Sequence, residues 1–417
     1  MPKLFVLFAA IILCSCSGNS NTKSVDIKDL PKASQEEVEK LVEQFIEAEK
    51  GGTITIPEGY YELNTQLILD NVENVSVIGA GMRKTVISFK NLKSGGEGMK
   101  ISGKKLLLQG FTVIDAPGDD IKTQHCEGIT FRDLNTTWSH QDLAKSGTYG
   151  IYPVQCSNVL IEKCEVSHSR DAGIYVGQSV NIIVRNNYVF ENVAGIEIEN
   201  SDNAEVYNNK AFNNTAGILV FNLPGLPKAW GRNTRIYKNE VIDNNHSNFA
   251  LGQASENGNP ISMIPPGSGI VILSGDSVEV FENTITDHKT VGVSIASYQI
   301  TELPIPKHPG WSPFAVNISV HDNTYSRKFM VPDMSKDLGK LVAAKCLKSQ
   351  DLVYDGIFDD SRPKSKNPMN ICIAETGKDY RFSRLVIPAS GKISDIGVAN
   401  DIENFKCQIV VKTKIAL

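Results

Sequence analysis

The chain has 417 residues, of which 41% are hydrophobic and only 7% aromatic, and its formal net charge is −5. This charge argues against nucleic acid or an anionic membrane surface as the main partner, while local basic residues still permit an acidic polysaccharide. The length fits either two or three ordinary domains or one long repeat structure, so the sequence pattern has to decide between them.

The first sixteen residues have the pattern of a targeting signal. Lys3 precedes an apolar stretch, residues 4–13, that is too short to predict a membrane span. The sequence Leu13-Cys14-Ser15-Cys16 resembles a bacterial lipobox with Cys16 as the lipidated residue, and an ordinary signal peptide cut nearby is the alternative. Residues 17–33 are small and polar, which predicts a tether. We therefore expect a lipid-anchored envelope protein, in the outer membrane and facing the periplasm.

Residues 34–49 predict a short amphipathic helix. Ser34 and Glu37 have the spacing of a capping box, and one helical stripe is apolar: Val38, Leu41, Val42, Phe45 and Ile46. Gly51-Gly52 ends the helix, and short β-rich segments follow it. A helix in this place is what a solenoid needs to seal its open end.

Pairs of small polar residues, six positions apart, recur along the chain. They are Asn158/Cys164, Asn181/Asn187, Asn203/Asn209, Asn233/Asn239, Ser277/Asn283 and Asn317/Asn323. A repeat of about 22 residues that ends in turn residues is typical of a solenoid. The two positions predict two ladders, in which stacked Asn amides bond from coil to coil.

Each repeat also contains three short apolar segments. The first of them begins with Gly and then alternates, as in Gly173-Ile174-Tyr175-Val176 and Gly195-Ile196-Glu197-Ile198. Three short strands per coil predict an all-β fold, a right-handed parallel β-helix over residues 34–330. The Asn pairs stop there, so we interpret residues 331–417 as a small C-terminal appendage. Cys126 and Cys156 lie one repeat apart, which predicts that their side chains stack.

The outward column of the first strand provides the candidate site. Alternate residues of this strand are expected to face solvent: Lys122, Gln124, Tyr152, Tyr175, Glu197, Glu199, Leu219 and Phe221. Tyr149, His168, Arg170 and Asp171 lie at or just before these strands. Insertions at residues 222–231, 246–266 and 297–314 flank the same strand, and such insertions usually border the binding face of a solenoid.

These residues suggest a carbohydrate-active protein, either a lyase or a C5-epimerase that acts on an acidic polysaccharide. Our catalytic candidates are Tyr152, Arg170, Tyr175, Glu197 and Glu199. Our binding candidates are Lys122, Tyr149, His168, Asp171, Phe221 and Asn222. Arg170 or Lys122 would stabilise the uronate carboxylate, and Tyr175, Tyr152 or His168 would take the C5 proton. No metal-ligand motif occurs and no cofactor is expected, although Asp119-Asp120 is a candidate calcium pair.

Several coil motifs resemble a known family: YGIYPVQC (149–156), DAGIYVGQS (171–179), AGIEIENS (194–201) and GILVFNLPGLP (217–227). They are similar to the exported parallel β-helix repeat lipoproteins of Gram-negative bacteria. This resemblance implies the fold, export and an exported c-type cytochrome-like partner, but no catalytic residues. More distantly, the coils resemble polysaccharide lyases, uronate epimerases and accessory proteins of copper-enzyme assembly. A non-catalytic docking protein is therefore the alternative, and the outward Leu219 and Phe221 suit it.

Overall fold

The computed structural model describes residues 29–48, 51–250, 259–377, 379–388, 395–413 and 415. The predicted lipobox, its Cys16 and most of the predicted tether lie outside the described residues. Within those ranges no helix is both long enough and apolar enough to cross a membrane.

The α-helices are α1 (Gln35–Glu47), α2 (Pro260–Met263) and α3 (Asp337–Cys346), and short 3-10 helices cover Leu143–Lys145, Tyr298–Thr301 and Ile402–Phe405. The strands are β1 (Gly52–Ile56), β2 (Gly59–Glu62), β3 (Leu67–Glu73), β4 (Val75–Gly79), β5 (Thr85–Ser88), β6 (Met99–Gln109), β7 (Thr112–Ile114), β8 (Ile121–Gln124), β9 (Glu127–Arg132), β10 (Asn135–Thr137), β11 (Tyr149–Val154), β12 (Ser157–Glu162), β13 (Glu165–Ser167), β14 (Ala172–Gly177), β15 (Val180–Arg185), β16 (Tyr188–Phe190), β17 (Ala194–Glu199), β18 (Asp202–Tyr207), β19 (Lys210–Phe212), β20 (Ala216–Phe221), β21 (Arg232–Tyr237), β22 (Glu240–Ile242), β23 (Ser268–Leu273), β24 (Asp276–Phe281), β25 (Thr284–Thr286), β26 (Val291–Ala296), β27 (Val316–His321), β28 (Thr324–Ser326), β29 (Gln350–Tyr354), β30 (Ile371–Ala374), β31 (Phe382–Val386) and β32 (Gly397–Ala399).

The strands wind into a right-handed parallel β-helix, as the sequence predicts. Each regular coil contributes one strand to each of three parallel stacks. Strands such as β11, β14, β17, β20, β23 and β26 form the first stack, β12, β15, β18, β21, β24 and β27 the second, and β13, β16, β19, β22, β25 and β28 the third. The register aligns equivalent residues of successive coils. The inward positions of the first stack therefore form one buried column of Ile151, Ile174, Ile196, Ile218 and Ile270.

The inner Asn ladder is present where the repeat predicts it. Asn187 Nδ2 donates to Asn209 Oδ1 at 2.9 Å, and Asn209 Nδ2 donates to Asn239 Oδ1 at 3.0 Å. The same oxygens accept backbone N–H groups, for example from Asn187 to Asn209 at 3.0 Å. The ladder continues through Asn283 and Asn323. It therefore satisfies backbone groups at the bend that water does not reach.

The second predicted ladder lies on the outer side of another bend. Asn158, Asn181 and Asn203 have φ values of 55°, 60° and 55°, in the left-handed region that Asn tolerates better than most residues. Their amides also bond from coil to coil, with Asn181 Nδ2 donating to Asn158 Oδ1 at 3.0 Å. Asn is selected here for backbone conformation as well as for the ladder.

The capping helix is confirmed, with one difference. Ser34 Oγ accepts from the Glu37 backbone N–H at 3.2 Å, and the Ser34 N–H donates to Glu37 Oε2 at 2.7 Å. Leu41 and Phe45 are buried against the first coils, whereas Ile46 is exposed. Ile46 therefore lies outside the packed stripe that the sequence suggests.

The solenoid continues past residue 330, so the predicted boundary there is wrong. β29 pairs in parallel with β26, and β30 pairs in parallel with β27. The Asn pattern ends because Glu375 takes the next position of the ladder. Its carboxylate accepts from the Asn323 backbone N–H at 2.8 Å and from Asn323 Nδ2 at 3.0 Å. A carboxylate performs the role of the amide, which hides the extra coil from the pattern.

The six cysteines that the structure describes divide into one disulfide and four free thiols. Cys372 and Cys407 form the disulfide. Cys126 and Cys156 are both buried and free, and the Cys126 backbone N–H donates to Cys156 Sγ at 3.3 Å. The predicted stacking of these two side chains is therefore present, without a bond between them.

Replacing Asn209 with Leu tests the inner ladder. The change leaves buried partners on Asn187 and Val184 without a bond, and each is expected to cost about 1–3 kcal/mol. We expect a clear fall in Tm and in the free energy of unfolding, measured by calorimetry and urea titration. Asn64→Leu at an exposed loop position is the matched control. Equal effects of the two changes would contradict the role of the ladder.

Candidate functional site

The outer face of the first stack is largely covered, so the expectation that its whole column faces solvent is wrong. Leu219 and Phe221 are 0% and 2% exposed. Residues from the insertions at 246–266 and 297–314, among them Ile261, Ile264 and Tyr298, pack with Leu219 and Phe221 in a second apolar cluster. The insertions border the predicted face, but they also cover these two residues of it.

Polar residues remain grouped on the N-terminal side of this covered region. We call them the tyrosine–carboxylate site, which consists of Asp119, Tyr149, Tyr152, Arg170, Asp171, Tyr175, Glu197 and Glu199. The coil register creates the grouping, because Tyr175 is the Cα partner of Glu197, and Gly177 is the partner of Glu199. Residues from four successive coils are thereby brought to one patch.

Three phenol rings form the centre of the site. The ring centroids of Tyr149 and Tyr152 are 4.5 Å apart, those of Tyr149 and Tyr175 are 4.8 Å apart, and those of Tyr152 and Tyr175 are 5.0 Å apart. Tyr149 and Tyr152 are partly exposed, whereas Tyr175 is buried. Two rings are therefore accessible to a ligand, and the third supports them from below.

Tyr175 is fixed by the coil above it. Its hydroxyl donates to Glu199 Oε1 at 2.7 Å. The ring reaches Glu199 by lying across Gly177, where an added Cβ would come within 2.4 Å of the Tyr175 hydroxyl oxygen. Gly177 therefore makes room for this bond, which explains a glycine at an outward position of the column.

The buried carboxyls of the site hold their protons unusually tightly. Loss of hydration raises the pKa of Asp171 to about 7 and that of Glu199 to about 7. Burial, with Glu199 and Asp171 close by, raises the pKa of Glu197 well above its ordinary value. Asp171 and Glu199 therefore exchange protons near neutral pH, which is the property required of general acids and bases.

Asp119 and a neighbouring ion pair form the rim. Burial raises the pKa of Asp119 to about 6. Lys122 Nζ lies 3.1 Å from Glu97 Oε1 and 5.3 Å from the centre of the Tyr152 ring. Partial burial lowers the pKa of Arg170, and the charges of Asp171 and Asp119 partly offset this. The rim therefore offers cations and a carboxyl beside the exposed rings.

Several buried polar atoms of the site have no partner among the described residues. They are Arg170 Nε, Asp171 Oδ1 and Glu197 Oε2. The other oxygen of Asp171 accepts weakly from the Tyr149 hydroxyl at 3.4 Å and from Asn259 Nδ2 at 3.3 Å. Buried polar groups are normally bonded, so a cluster of unpaired ones indicates a place where a ligand supplies the missing bonds.

Other sequence candidates are held elsewhere. His168 Nε2 lies 2.8 Å from Glu191 Oε2, and its Nδ1 lies 2.8 Å from Thr137 Oγ1, at the bend after the third stack. Asn222 is buried, and its amide bonds backbone atoms of Gly231 and Ser274. Together with Phe221, these two residues stabilise loops, and the structure does not bring them into the tyrosine–carboxylate site.

The two aspartates of the candidate calcium pair, Asp119 and Asp120, lie in different environments. Asp120 is fully buried, and its Oδ1 accepts from the Ala116 backbone N–H at 3.1 Å. Asp119 belongs to the rim. Over the described part of the chain, no three His, Cys, Asp or Glu side chains are grouped so that they would hold a metal ion.

Sequence reasoning missed three contributors to the site. Gly177 and Glu97 occupy outward positions whose importance depends on a neighbouring coil. Asn259 comes from an insertion without any periodic pattern. A register count would have placed Gly177 beside Glu199, but the contact from Asn259 required the folded loop.

A comparison with protein families agrees with this architecture. Residues 121–302 match the family described as right handed beta helix region. The A-module of a mannuronan C-5 epimerase of Azotobacter vinelandii is 14% identical, with 84% of this chain and 94% of that chain covered and a TM-score of 0.48. An α-1,3-glucanase catalytic unit of Streptomyces thermodiastaticus is 13% identical, with 87% and 69% covered and a TM-score of 0.46. A mutant DFA-IIIase of Arthrobacter chlorophenolicus is 10% identical, with 79% and 91% covered and a TM-score of 0.44. No curated protein matches the sequence.

The pH dependence of stability tests the buried carboxyls. Glu199 has a folded pKa of about 7, whereas an unfolded Glu titrates near ~4.3. Because the folded state binds the proton more tightly, stability is full at low pH and falls as the pH rises through the folded pKa. Glu199→Gln removes this loss, so relative to the wild type it should gain about 1–3 kcal/mol between about pH 5 and about pH 8.

Urea unfolding at both pH values measures this gain. The exposed substitution Glu43→Gln on α1 is the control and should show no such change. A difference between Glu199→Gln and the wild type that stays constant with pH would contradict the assignment.

Proposed function

We propose that this protein binds an acidic polysaccharide at the tyrosine–carboxylate site and transfers the C5 proton of a uronate, as a lyase or a C5-epimerase does. The observation that carries the proposal is the presence of two unpaired polar atoms, Arg170 Nε and Asp171 Oδ1, in the same site as the partly exposed rings of Tyr149 and Tyr152. A sugar stacked on these rings would place its carboxylate against the guanidinium.

The proposed reaction begins with charge neutralisation. Arg170 binds the uronate carboxylate, which makes the C5–H bond acidic enough to break. Asp171 accepts this proton, and the electron pair of the bond moves into the carboxylate as an enolate. A lyase then forms the C4=C5 double bond and expels the C4 oxygen, which receives a proton from a phenol. An epimerase instead returns a proton to C5 from the opposite face.

The proton-transfer roles differ from those that the sequence suggests. Burial and nearby carboxylates raise the pKa of Tyr149 and Tyr175 well above 10, and that of Tyr152 is raised as well. A phenol with a raised pKa stays protonated at neutral pH, so it cannot take the C5 proton but can give its own proton to a leaving alkoxide. Asp171, with its pKa near neutrality, therefore suits the base, and the partly exposed Tyr152 suits the acid.

The docking alternative relied on an exposed apolar surface that is buried in the structure. Leu219 and Phe221 were expected to face outward for a c-type cytochrome-like partner, but both are buried beneath the insertions. Export and a lipid anchor at Cys16 remain part of our proposal. The Cys372–Cys407 disulfide supports export, since such bonds persist in oxidising compartments outside the cytosol.

Arg170→Gln tests the catalytic proposal. We expect a fall in kcat/KM of at least about 100-fold, because the enolate loses its main counter-charge. Proton exchange at C5 in deuterated water, followed by NMR on a panel of uronate polymers, detects both reaction types, and ultraviolet absorbance separates the unsaturated lyase product from the epimerase product.

The exposed substitution Arg232→Gln is the matched control and should retain activity. Absence of both deuterium uptake and binding across the whole panel with the wild-type protein would remove the proposal.

Lipid attachment has its own test. Cells that express the full chain should incorporate labelled palmitate into it, and Cys16→Ser should abolish the label because the acceptor thiol is lost. Cys14→Ser is the control and should keep the label. Label retained by the Cys16→Ser protein, or no label on the wild-type chain, would contradict a lipid anchor at Cys16.

A further inference from the structure

The second stack carries an outward column that is unlike the rest of its surface. Glu205, Arg235, Glu279, Ser319 and Cys372 are successive Cα partners from β18 to β30, so one straight line of polar side chains crosses five coils. We call these five residues the polar column. It lies on a different stack from the tyrosine–carboxylate site and is independent of it.

The C-terminal residues Cys407–Thr413, which we call the strap, run along this column. Cys407 is bonded to Cys372, and the Ile409 N–H donates to Ser319 Oγ at 3.2 Å. The Val411 N–H donates to Glu279 Oε2 at 3.2 Å, and the Thr413 hydroxyl donates to Glu205 Oε1. Every second residue of the strap therefore contacts a member of the column, as an extended strand requires.

The lengths of the two partners agree. Six residue steps of an extended chain span about 20 Å at about 3.3 Å each. Four coil steps span about 19 Å at the usual strand separation of about 4.8 Å. The overall length of the extended strap therefore matches the span of the column from Cys372 to Glu205.

The polar column contains a carboxylate, that of Glu279, which accepts a main-chain N–H group of the strap. Arg235 Nε lies 3.0 Å from Glu279 Oε2, and His321 Nε2 lies 3.2 Å from Glu279 Oε1. The Glu279 carboxylate is nearly fully buried, which by itself raises its pKa, but hydrogen bonds from His321, Arg235 and the Val411 N–H outweigh this and lower the pKa. A buried carboxylate that accepts a backbone N–H is a strong peptide contact. Val411 is itself buried, whereas Val410 is exposed.

We propose that the polar column is a binding site for an extended peptide, and that the strap of this chain occupies it, held in place by the Cys372–Cys407 disulfide. Two of the four contacts are made by main-chain N–H groups, those of Ile409 and Val411, so this part of the site selects an extended conformation more than a particular sequence. Cys407 is exposed, so a dithiol reductant reaches the Cys372–Cys407 disulfide. The reductant is then oxidised to its own disulfide, and Cys372 and Cys407 are reduced to thiols.

A peptide supplied in trans tests the site. The probe is a fluorescent peptide of residues 406–413 with Cys407→Ser, titrated by anisotropy into a chain that ends at residue 406 and carries Cys372→Ser. Saturable binding is expected there, and binding to the intact oxidised chain should be at least about tenfold weaker because the strap occupies the site. Glu279→Gln in the shortened chain should weaken binding at least about fivefold. Glu240→Gln, in an exposed ion pair on the third stack, should leave it unchanged.

Hydrogen exchange on the intact chain keeps the proposal testable if the shortened chain fails to fold. The Ile409 and Val411 amides should be protected in the oxidised protein, and Glu279→Gln should accelerate exchange at Val411 by at least about tenfold. Unprotected amides, or equal affinity of the probe for the intact and shortened chains, would overturn the proposal.

Discussion

The inner Asn ladder is the interaction on which the rest of the structure depends. Each coil bends sharply between consecutive strands, and the bend leaves backbone N–H and C=O groups that no strand partner reaches. Asn187, Asn209 and Asn239 bond these groups and one another, so each coil is positioned by the next. This repetition holds the coils in a single register over the length of the solenoid.

A fixed register turns sequence positions into columns, and both sites that we describe are products of it. Tyr175 meets Glu199 because their strands align, with Gly177 leaving space between them. The polar column forms in the same way on the second stack. The two sites differ in the segments of the chain that cover them. Folded insertions bury the carboxyls of the first and raise their pKa values, while a single extended strap covers the second.

The sequence pattern predicts the structural features that recur from coil to coil and does not predict those that occur only once. Asn209 and the capping box at Ser34 follow from periodicity and local chemistry, and both are present. The extra coil was missed because Glu375 replaces Asn in the ladder. The burial of Leu219 was missed because the covering residues, such as Ile261, come from an insertion whose fold depends on long-range packing. Within the candidate site, the chemical types were predictable, but their burial and proton affinity were not.

A crystal structure of the protein with a uronate trisaccharide tests the central claim most directly, since it locates the sugar without relying on activity. We expect a sugar ring against Tyr149 and Tyr152, with its carboxylate bonded to Arg170 Nε and its C5 hydrogen directed toward Asp171 Oδ1. A trisaccharide bound on another face, or an unoccupied tyrosine–carboxylate site at saturating trisaccharide, would contradict it.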